Sequence, residues 1–407
     1  MQIELPQNVK ELNKIFKKNG YELYAVGGVV RDSLLGLPTS DIDFCTSATP
    51  DEMIKMFPYA IKTGIKHGTL TIPFKKEHYE ITTYRIDGAY SDSRHPENVA
   101  FSKNLKEDLS RRDFTINAMA ADIESGEVVD LFLGTNDIKN KIVRTVGDPE
   151  ERFKEDALRM MRAVRFSSRL GFSIEDKTFD AMKSLSETIE NISKERIKTE
   201  LFGILESAFV KSGIKNLIET GLWNGVFPYL NPPQFTAIDA LDINGKGKAY
   251  LRFVEILYIT RTTIESATKS IDFLKCSNKE KDEILHLYKA SLVDIHTMKT
   301  PYRKRNFLSL LNREFFDDFF LLLNELNSSS KNDKEKYAPL LSSPLTIKEL
   351  AVNGNDLKSI GISDKEIGNS LKKCLTLVLE NPEDNTKEKL LSLLQAKAHA
   401  NSPFDIS

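Results

Sequence analysis

The periodicity of the chain changes once, after Pro149, and that single change constrains the fold more than any other feature. Up to residue 148, short β-rich runs at 24–26, 42–45, 69–74, 79–83 and 128–131 are separated by Gly, Pro and Asp. They follow an amphipathic start in which Val9, Leu12, Ile15 and Phe16 have helical spacing. From Pro149 to about residue 325 the apolar positions recur with helical periodicity and few strand signals. Residues 327–336, NSSSKNDKEK, lack apolar side chains and read as a linker or exposed loop, and a last helical segment occupies 345–398. The pattern predicts an α+β chain: a compact α/β head followed by an elongated helical remainder, with no repeat of fixed period.

At 407 residues the chain has room for two to four domains of about 100–200 residues each. No apolar run reaches the roughly 18–20 residues of a membrane span, and MQIELPQNVKELNKIF has none of the parts of a signal peptide. A cytoplasmic protein without a membrane partner is expected. Cys45, Cys276 and Cys374 are far apart and odd in number, so they are read as small apolar residues rather than as a disulfide or zinc set. The formal net charge of −2 does not by itself point to nucleic acid, so any RNA site needs a local gathering of basic groups.

The most informative stretch is residues 26–46, VGGVVRDSLLGLPTSDIDFCT. On a strand, residues two apart share a face, so Asp41 and Asp43 project together while Ile42 and Phe44 turn to the core. Two carboxylates so placed suit a pair of Mg²⁺ ions about 3.5–4 Å apart, the arrangement for in-line phosphoryl displacement. Gly27 and Gly28 let the backbone approach phosphate oxygens, and Arg31 on the following helical turn is a candidate to reach them. Asp-x-Asp alone reads equally as a solvated strand end. The Gly-Gly and Arg-Asp pairs upstream favour the phosphate reading.

A second constellation, EDLSRRDFTINAMAA at 107–121, places Arg111, Arg112 and Asp113 before a run with helical spacing, which makes Asp113 a candidate N-cap. A third, EDALRMMRAVRFSSR at 155–169, puts Ala157, Met160, Met161 and Val164 on one helix face. Glu155, Arg159 and Arg162 fall opposite, with Asp156 at the border. Asp156 and Arg159, three apart, are expected to be surface neighbours. A carboxylate only accepts hydrogen bonds and a guanidinium only donates. Cytosine and adenine each show a donor amine beside a ring acceptor, which this pair complements. Uracil and guanine show the opposite order. The plainer reading is an ion pair on a solvated helix.

GGVVRDSLLG…DIDFCTSATP resembles the polymerase-β-like nucleotidyltransferases, and more narrowly the class II tRNA nucleotidyltransferases and bacterial poly(A) polymerases. RRDFTINAMA and EDALRMMRAVRF are similar to that family's second and base-reading motifs. ERIKTELFGIL and GLWNGVFPYL are similar to its later segments, as is the chain end LTIKELAVNGNDLKSIGISDKEIGNSLKKCL.

The resemblance implies a catalytic head at 1–148, a neck with base recognition at 149–205, a body at 206–326 and a tRNA-binding tail at 337–407. It implies template-independent addition of C, C and A to the 3′ end of tRNA from CTP and ATP, with Mg²⁺. Asp41 and Asp43 would be catalytic metal ligands, with Glu80 either a third carboxylate or an exposed strand-face charge. Gly28, Arg31, Arg112, Asp113, Asp156, Arg159, Arg162 and Arg165 would bind the nucleotide. Asp113 would sit on a ribose hydroxyl, and Asp156 with Arg159 would read the base. The loop at 87–96, DGAYSDSRHP, is similar to the one the family needs to switch to ATP. A-only or CC-only addition, poly(A) synthesis and an inactive RNA-binding relative stand as alternatives. Oligomeric state stays open, a homodimer being one option. His286, His296 and His399 are read as structural or exposed, and no appended phosphohydrolase domain is expected.

Overall fold

The computed structural model describes residues 1–39, 41–87, 99–243, 245–326 and 332–400. They form two compact units. The first is Met1–Pro232 with two short later pieces, and the second comprises Pro233–Ile243, Tyr250–Thr268 and the chain from Ser277 onward. Among the described residues no helix is long and apolar enough to cross a membrane.

The first unit opens on α1 (Gln7–Lys18), whose Val9, Leu12 and Phe16 are buried, as their helical spacing predicts. Its strands are β1 (Leu23–Val26), β2 (Asp43–Thr46), β3 (Ile61–Gly64), β4 (Thr69–Phe74), β5 (Glu77–Thr83), β6 (Arg85–Asp87), β7 (Val99–Phe101), β8 (Met119–Asp122) and β9 (Val128–Asp130). Seven of them form one mixed sheet in the order β3-β4-β5-β2-β1-β8-β9, while β6 and β7 pair separately. Only β2 and β5 run parallel within that sheet. Strand alternation sorts the side chains: Phe44, Ile81 and Ala25 enter the core that α1 covers, with Ile42 packed against it. Cys45, Val26 and Ala120 face the other way, toward Tyr84 and Leu109. Each large apolar side chain so buried contributes about 1.5–3 kcal/mol.

Three helices punctuate the sheet. α2 (Gly28–Leu34) follows β1, α3 (Pro50–Met56) begins with a Thr49–Glu52 capping box, and α4 (Leu105–Ser110) has Asn104 as N-cap. The segment 114–121 departs from its helical spacing. It forms a 3-10 turn at Thr115–Asn117 and then β8, which inserts between β1 and β9. The alanines of β8 favour helix locally, but pairing on both edges satisfies every ladder position and overrides that preference.

After α5 (Gly134–Asn140) the chain is helical: α6 (Pro149–Glu155), α7 (Leu158–Leu170), α8 (Asp176–Leu185), α9 (Lys194–Leu205) and α10 (Val210–Glu219). A two-residue parallel pair, Ile142–Val143 with Ser173–Ile174, interrupts them. The helix expected to run through Asp156 breaks there, with φ −147° and ψ 103°.

In the second unit, helices Pro301–Leu311 and Phe316–Leu326 bring Phe307, Phe319 and Phe320 together with Tyr337. The Arg305 guanidinium donates to the carbonyls of Leu379 and Glu380, closing the end of helix Asp364–Glu380. The expected linker contains a helix: Asp333–Tyr337 is helical, with Asp333 buried and bonded to Lys336 at 2.8 Å. A polar stretch folds here because Tyr337 anchors it, its hydroxyl donating to the Ile295 carbonyl at 3.1 Å.

Candidate active site

Strand register gathers the first motif. β1 pairs antiparallel with β2 so that Val26 lies opposite Asp43, and the chain turns at Gly27 immediately beyond. On the other side of β2, Phe44 is in register with Ile81 of the parallel β5, which sets Glu80 beside Asp43. Burial raises the Asp43 carboxyl above its ordinary range. The negative charge of Glu80 adds to that rise, Arg112 opposes it, and Asp41 adds to it again. Asp41 precedes the strand rather than lying in it; both residues are exposed over part of their surface, and the desolvation acts on the Asp43 carboxyl where it lines the cavity. Asp41, Asp43 and Glu80 line one cavity of about 880 Å³, with Thr39, Thr71 and Tyr79.

These are hard oxygen donors carrying mutually repelling charge, which a divalent cation relieves, so the residues fit such an ion. Among the described residues no group of three or more His, Cys, Asp or Glu side chains is placed to hold a metal ion on its own. Ions of this class keep positions for substrate phosphates alongside one or two protein carboxylates.

Gly27 has a φ of +72°, in the left-handed region, and a Cβ there would lie 3.2 Å from Nη1 of Arg112. Asp108, fully buried, bonds Arg111 at 2.6 Å and Arg112 at 3.1 Å. Burial alone would raise the Asp108 carboxyl, but the two guanidiniums outweigh it and hold it below its usual range. Arg31 differs from expectation. It is only 2% exposed, with its guanidinium on Asp32 at 2.8 Å and on the Asn117 side-chain oxygen at 2.5 Å. It braces the glycine turn from behind instead of opening onto it.

Asn117 also donates to Asp113 at 3.1 Å, and the Phe114 amide donates to the same oxygen at 2.8 Å. The other oxygen of Asp113 accepts from Arg162 at 2.8 Å. Burial pushes the Asp113 carboxyl up, and Arg162 with these hydrogen bonds more than offsets that, leaving it depressed. The 3-10 turn that follows has Phe114 as its N-cap and no side-chain cap bond, so Asp113 caps neither that turn nor the helix its spacing suggested. Arg162 and Arg165 both reach Glu200, at 3.6 and 3.2 Å. The Phe166 ring lies near both Arg31, 5.1 Å from its centroid, and Arg162, at 5.3 Å.

Asp156 and Arg159 are not each other's partners. The break at Asp156 removes the helical register that would have made them neighbours. Asp156 bonds Arg196 at 2.7 Å, and its second oxygen takes the Leu158 amide at 3.1 Å. Arg159, 9% exposed, bonds Glu155 at 2.6 Å and the carbonyls of Arg152 and Arg111 at 3.3 and 3.1 Å. Sequence reasoning therefore missed Arg196, Asn117, Glu200 and Phe166. Arg196 and Glu200, four apart on α9, carried the available signal, since that spacing puts both on one helix face. The loop at 87–96 lies outside the described residues except for Asp87, where β6 ends.

A family model described as the poly(A) polymerase head domain matches residues 23–144. One described as a probable RNA and SrmB-binding site of polymerase A matches residues 171–232. The CCA-adding enzyme of Staphylococcus haemolyticus is 35% identical over 96% of this chain and 98% of that enzyme. That of Bacillus cytotoxicus is 36% identical over 92% and 94%. The crystal structure of the Bacillus stearothermophilus CCA-adding enzyme in complex with CTP superimposes with a TM-score of 0.82 at 30% identity, covering 97% of this chain and 99% of that one. The Thermotoga maritima CCA-adding enzyme complexed with tRNA gives 0.67 at 25% identity, covering 96% and 94%. With its polymerase-type sheet, its three motifs and these relatives, the chain belongs to the family of CCA-adding enzymes, the class II tRNA nucleotidyltransferases.

Proposed function

We propose that this chain adds C, C and A in turn to the 3′ end of tRNA, taking CTP and ATP as substrates and releasing pyrophosphate. The observation that carries the reading is the register that sets Asp43 beside Glu80 and opposite the start of the Gly27–Arg112 turn. It supports a site in which these carboxylates face the Gly27 turn and Arg112, which we assign to the triphosphate. In each cycle the primer 3′-oxygen forms a bond to the α-phosphorus, the bond from that phosphorus to the α,β-bridging oxygen breaks, pyrophosphate leaves with the electron pair, and the hydroxyl proton passes to solvent. Asp41 and Asp43 would hold the divalent ions, which we assign as Mg²⁺, and Glu80 borders them. When bound, such ions lower the pKa of the hydroxyl and neutralise the leaving pyrophosphate.

The remaining roles belong to the chain itself. Arg112, over the Gly27–Gly28 turn, meets the triphosphate, and Arg162 and Arg165 contact the nucleotide from the neck. Asp113, oriented by three donors, has acceptor capacity left for a ribose hydroxyl, so a deoxynucleotide leaves it a bond short. Asp156 and Arg159, each fixed by its own partners, present an acceptor and a donor to the base. Residues 1–148 would act as head, 149–205 as neck, 206–326 as body and 337–407 as the tRNA-holding tail, in the cytoplasm.

Labelled CTP and ATP supplied to tRNA lacking its 3′ end test the reading. Extension by CCA, and no further, supports it. Stopping after CC, adding A alone, making a long A tract or adding nothing each overturns it.

A further inference from the structure

We propose that Arg196 completes the base-reading site, one arm fixing the Asp156 carboxylate and the other offering a hydrogen bond to the incoming base. The proposal rests on the reading of Asp156 as a base contact and adds a residue to it. Three observations carry it.

First, Asp156 sits outside any helix, between α6 and α7, so no helical neighbour orients its side chain. Its direction is set by the Leu158 amide at one oxygen and by Nη2 of Arg196 at the other, 2.7 Å away. Second, Arg159 is engaged elsewhere, on Glu155 and on the carbonyls of Arg152 and Arg111. The donor at hydrogen-bond distance from the Asp156 carboxylate is therefore Arg196, which stands in addition to the donor that Arg159 presents. Third, Nη1 of Arg196 is buried and has no hydrogen-bond partner in the protein. A buried guanidinium N–H left unpaired is costly, so one beside a ligand-reading carboxylate marks a place where the substrate supplies the acceptor. Cytosine and adenine both offer a ring nitrogen next to the amine that Asp156 would accept from. Uracil and guanine present an N–H at that position, which would meet the guanidinium donor to donor.

The experiment uses the full-length enzyme with tRNA ending just before the C to be added. It measures the UTP-to-CTP incorporation ratio at matched concentrations, together with kcat, KM and the melting temperature. Asp156→Ala, Arg196→Met and Arg196→Lys are compared with wild type. Arg196→Met is expected to raise the ratio roughly tenfold or more, close to the rise in Asp156→Ala, and the double variant to raise it no further. Arg196→Lys keeps the charge but serves one acceptor instead of two, so its rise should be intermediate, with a normal melting temperature. If Arg196→Met does not fold, Arg196→Lys decides alone, a raised ratio supporting the proposal and a wild-type ratio overturning it. A ratio that rises in Asp156→Ala and stays at the wild-type value in both Arg196 variants makes Arg196 a scaffold residue only and overturns the proposal. A ratio unchanged in Asp156→Ala removes the base-reading assignment itself, and the proposal with it.

Discussion

At the scale of single residues, Asp43 is set by the charges gathered around it. Burial and the charges of Glu80 and Asp41 push its carboxyl up, so in the metal-free protein it holds its proton to a higher pH than an isolated aspartate does. A proton and a metal ion compete for the same oxygens, and metal binding therefore weakens as pH falls. Glu80→Gln removes the carboxylate that acts more strongly on Asp43 than Asp41 does. The acid limb of Mn²⁺ binding, followed by paramagnetic relaxation, is expected to move to lower pH; a limb that stays in place means Glu80 is not coupled to Asp43. Asp41→Ala and Asp43→Ala should each abolish incorporation of both C and A while leaving tRNA binding intact, because the ions we propose they hold would be worth several kcal/mol of transition-state stabilisation. Near-normal turnover in either variant refutes the assignment. Phe166 is a different kind of residue, its ring lying close to two guanidiniums. Phe166→Leu keeps most of its apolar volume and loses both cation–π contacts, at about 0.5–2 kcal/mol each. The expected outcome is a lowered melting temperature and a raised KM for CTP, with Phe166→Tyr close to wild type.

Elements fix the site where residues alone do not, and the 3-10 turn at Thr115–Asn117 is the clearest case. It carries Asn117, which joins Arg31 to Asp113, and it is held from outside by α5. A Cβ on Gly134, the first residue of α5, would fall 2.2 Å from the Thr115 carbonyl oxygen. Gly134→Ala must displace one element or the other, an overpacking cost of about 1–3 kcal/mol. Raised KM for both nucleotides should accompany the lowered stability, and a variant that melts lower but keeps wild-type KM values would show that the turn does not position Asp113. The β6–β7 pair acts at the same scale, since its register of Asp87 with Val99 ties the two ends of the 87–99 segment together. Replacing residues 87–96 by a short Gly-Ser linker should halt addition after CC; full-rate A addition would exclude that loop as the switch. This scale also marks where the sequence was legible. Alternation along DIDF correctly turned Ile42 and Phe44 to the core, because one strand face is decided locally. The pairing of Glu80 with Asp43 depends on a parallel register between strands far apart in sequence, which no local pattern encodes. The break at Asp156 was hidden because EDALRMMR has unbroken helical spacing, and the extended backbone there is secured by Arg196 from another helix.

Stability against pH belongs to the whole chain, and its two units are limited from opposite ends. In the first unit Asp108 and Asp113 are depressed in the fold: burial opposes this, but their arginines prevail. Their contribution is fully present above the ordinary aspartate range and is lost as pH falls through the folded values. The second unit holds the reverse case. Arg252, Glu255 and Glu325 form a buried triad, with Arg252 2.8 Å from Glu255 and 2.9 Å from Glu325. One guanidinium cannot neutralise two desolvated carboxylates. Burial, then the hydrogen bond to Glu325, push Glu255 from 4.5 up to about 9, so near neutral pH it is a protonated acid donating to Glu325. The folded chain therefore binds one proton more than the unfolded chain between those two values. The stability that this proton supplies is complete below pH 4.5 and declines as pH rises toward about 9. The slope is at most about 1.4 kcal/mol per pH unit. Glu255→Gln fixes the neutral form: the amide still donates to Glu325, its oxygen still accepts from Arg252, and no proton can be lost. Calorimetric melting between pH 6 and 9 should show the wild-type second unit falling in temperature as pH rises, with a clearly flatter profile in Glu255→Gln and the larger gain at the alkaline end. The acid-side melting of the first unit should be the same in both proteins. Parallel profiles across the alkaline range would mean that Glu255 is already ionised in the fold, and the shared-proton description of the triad would fail.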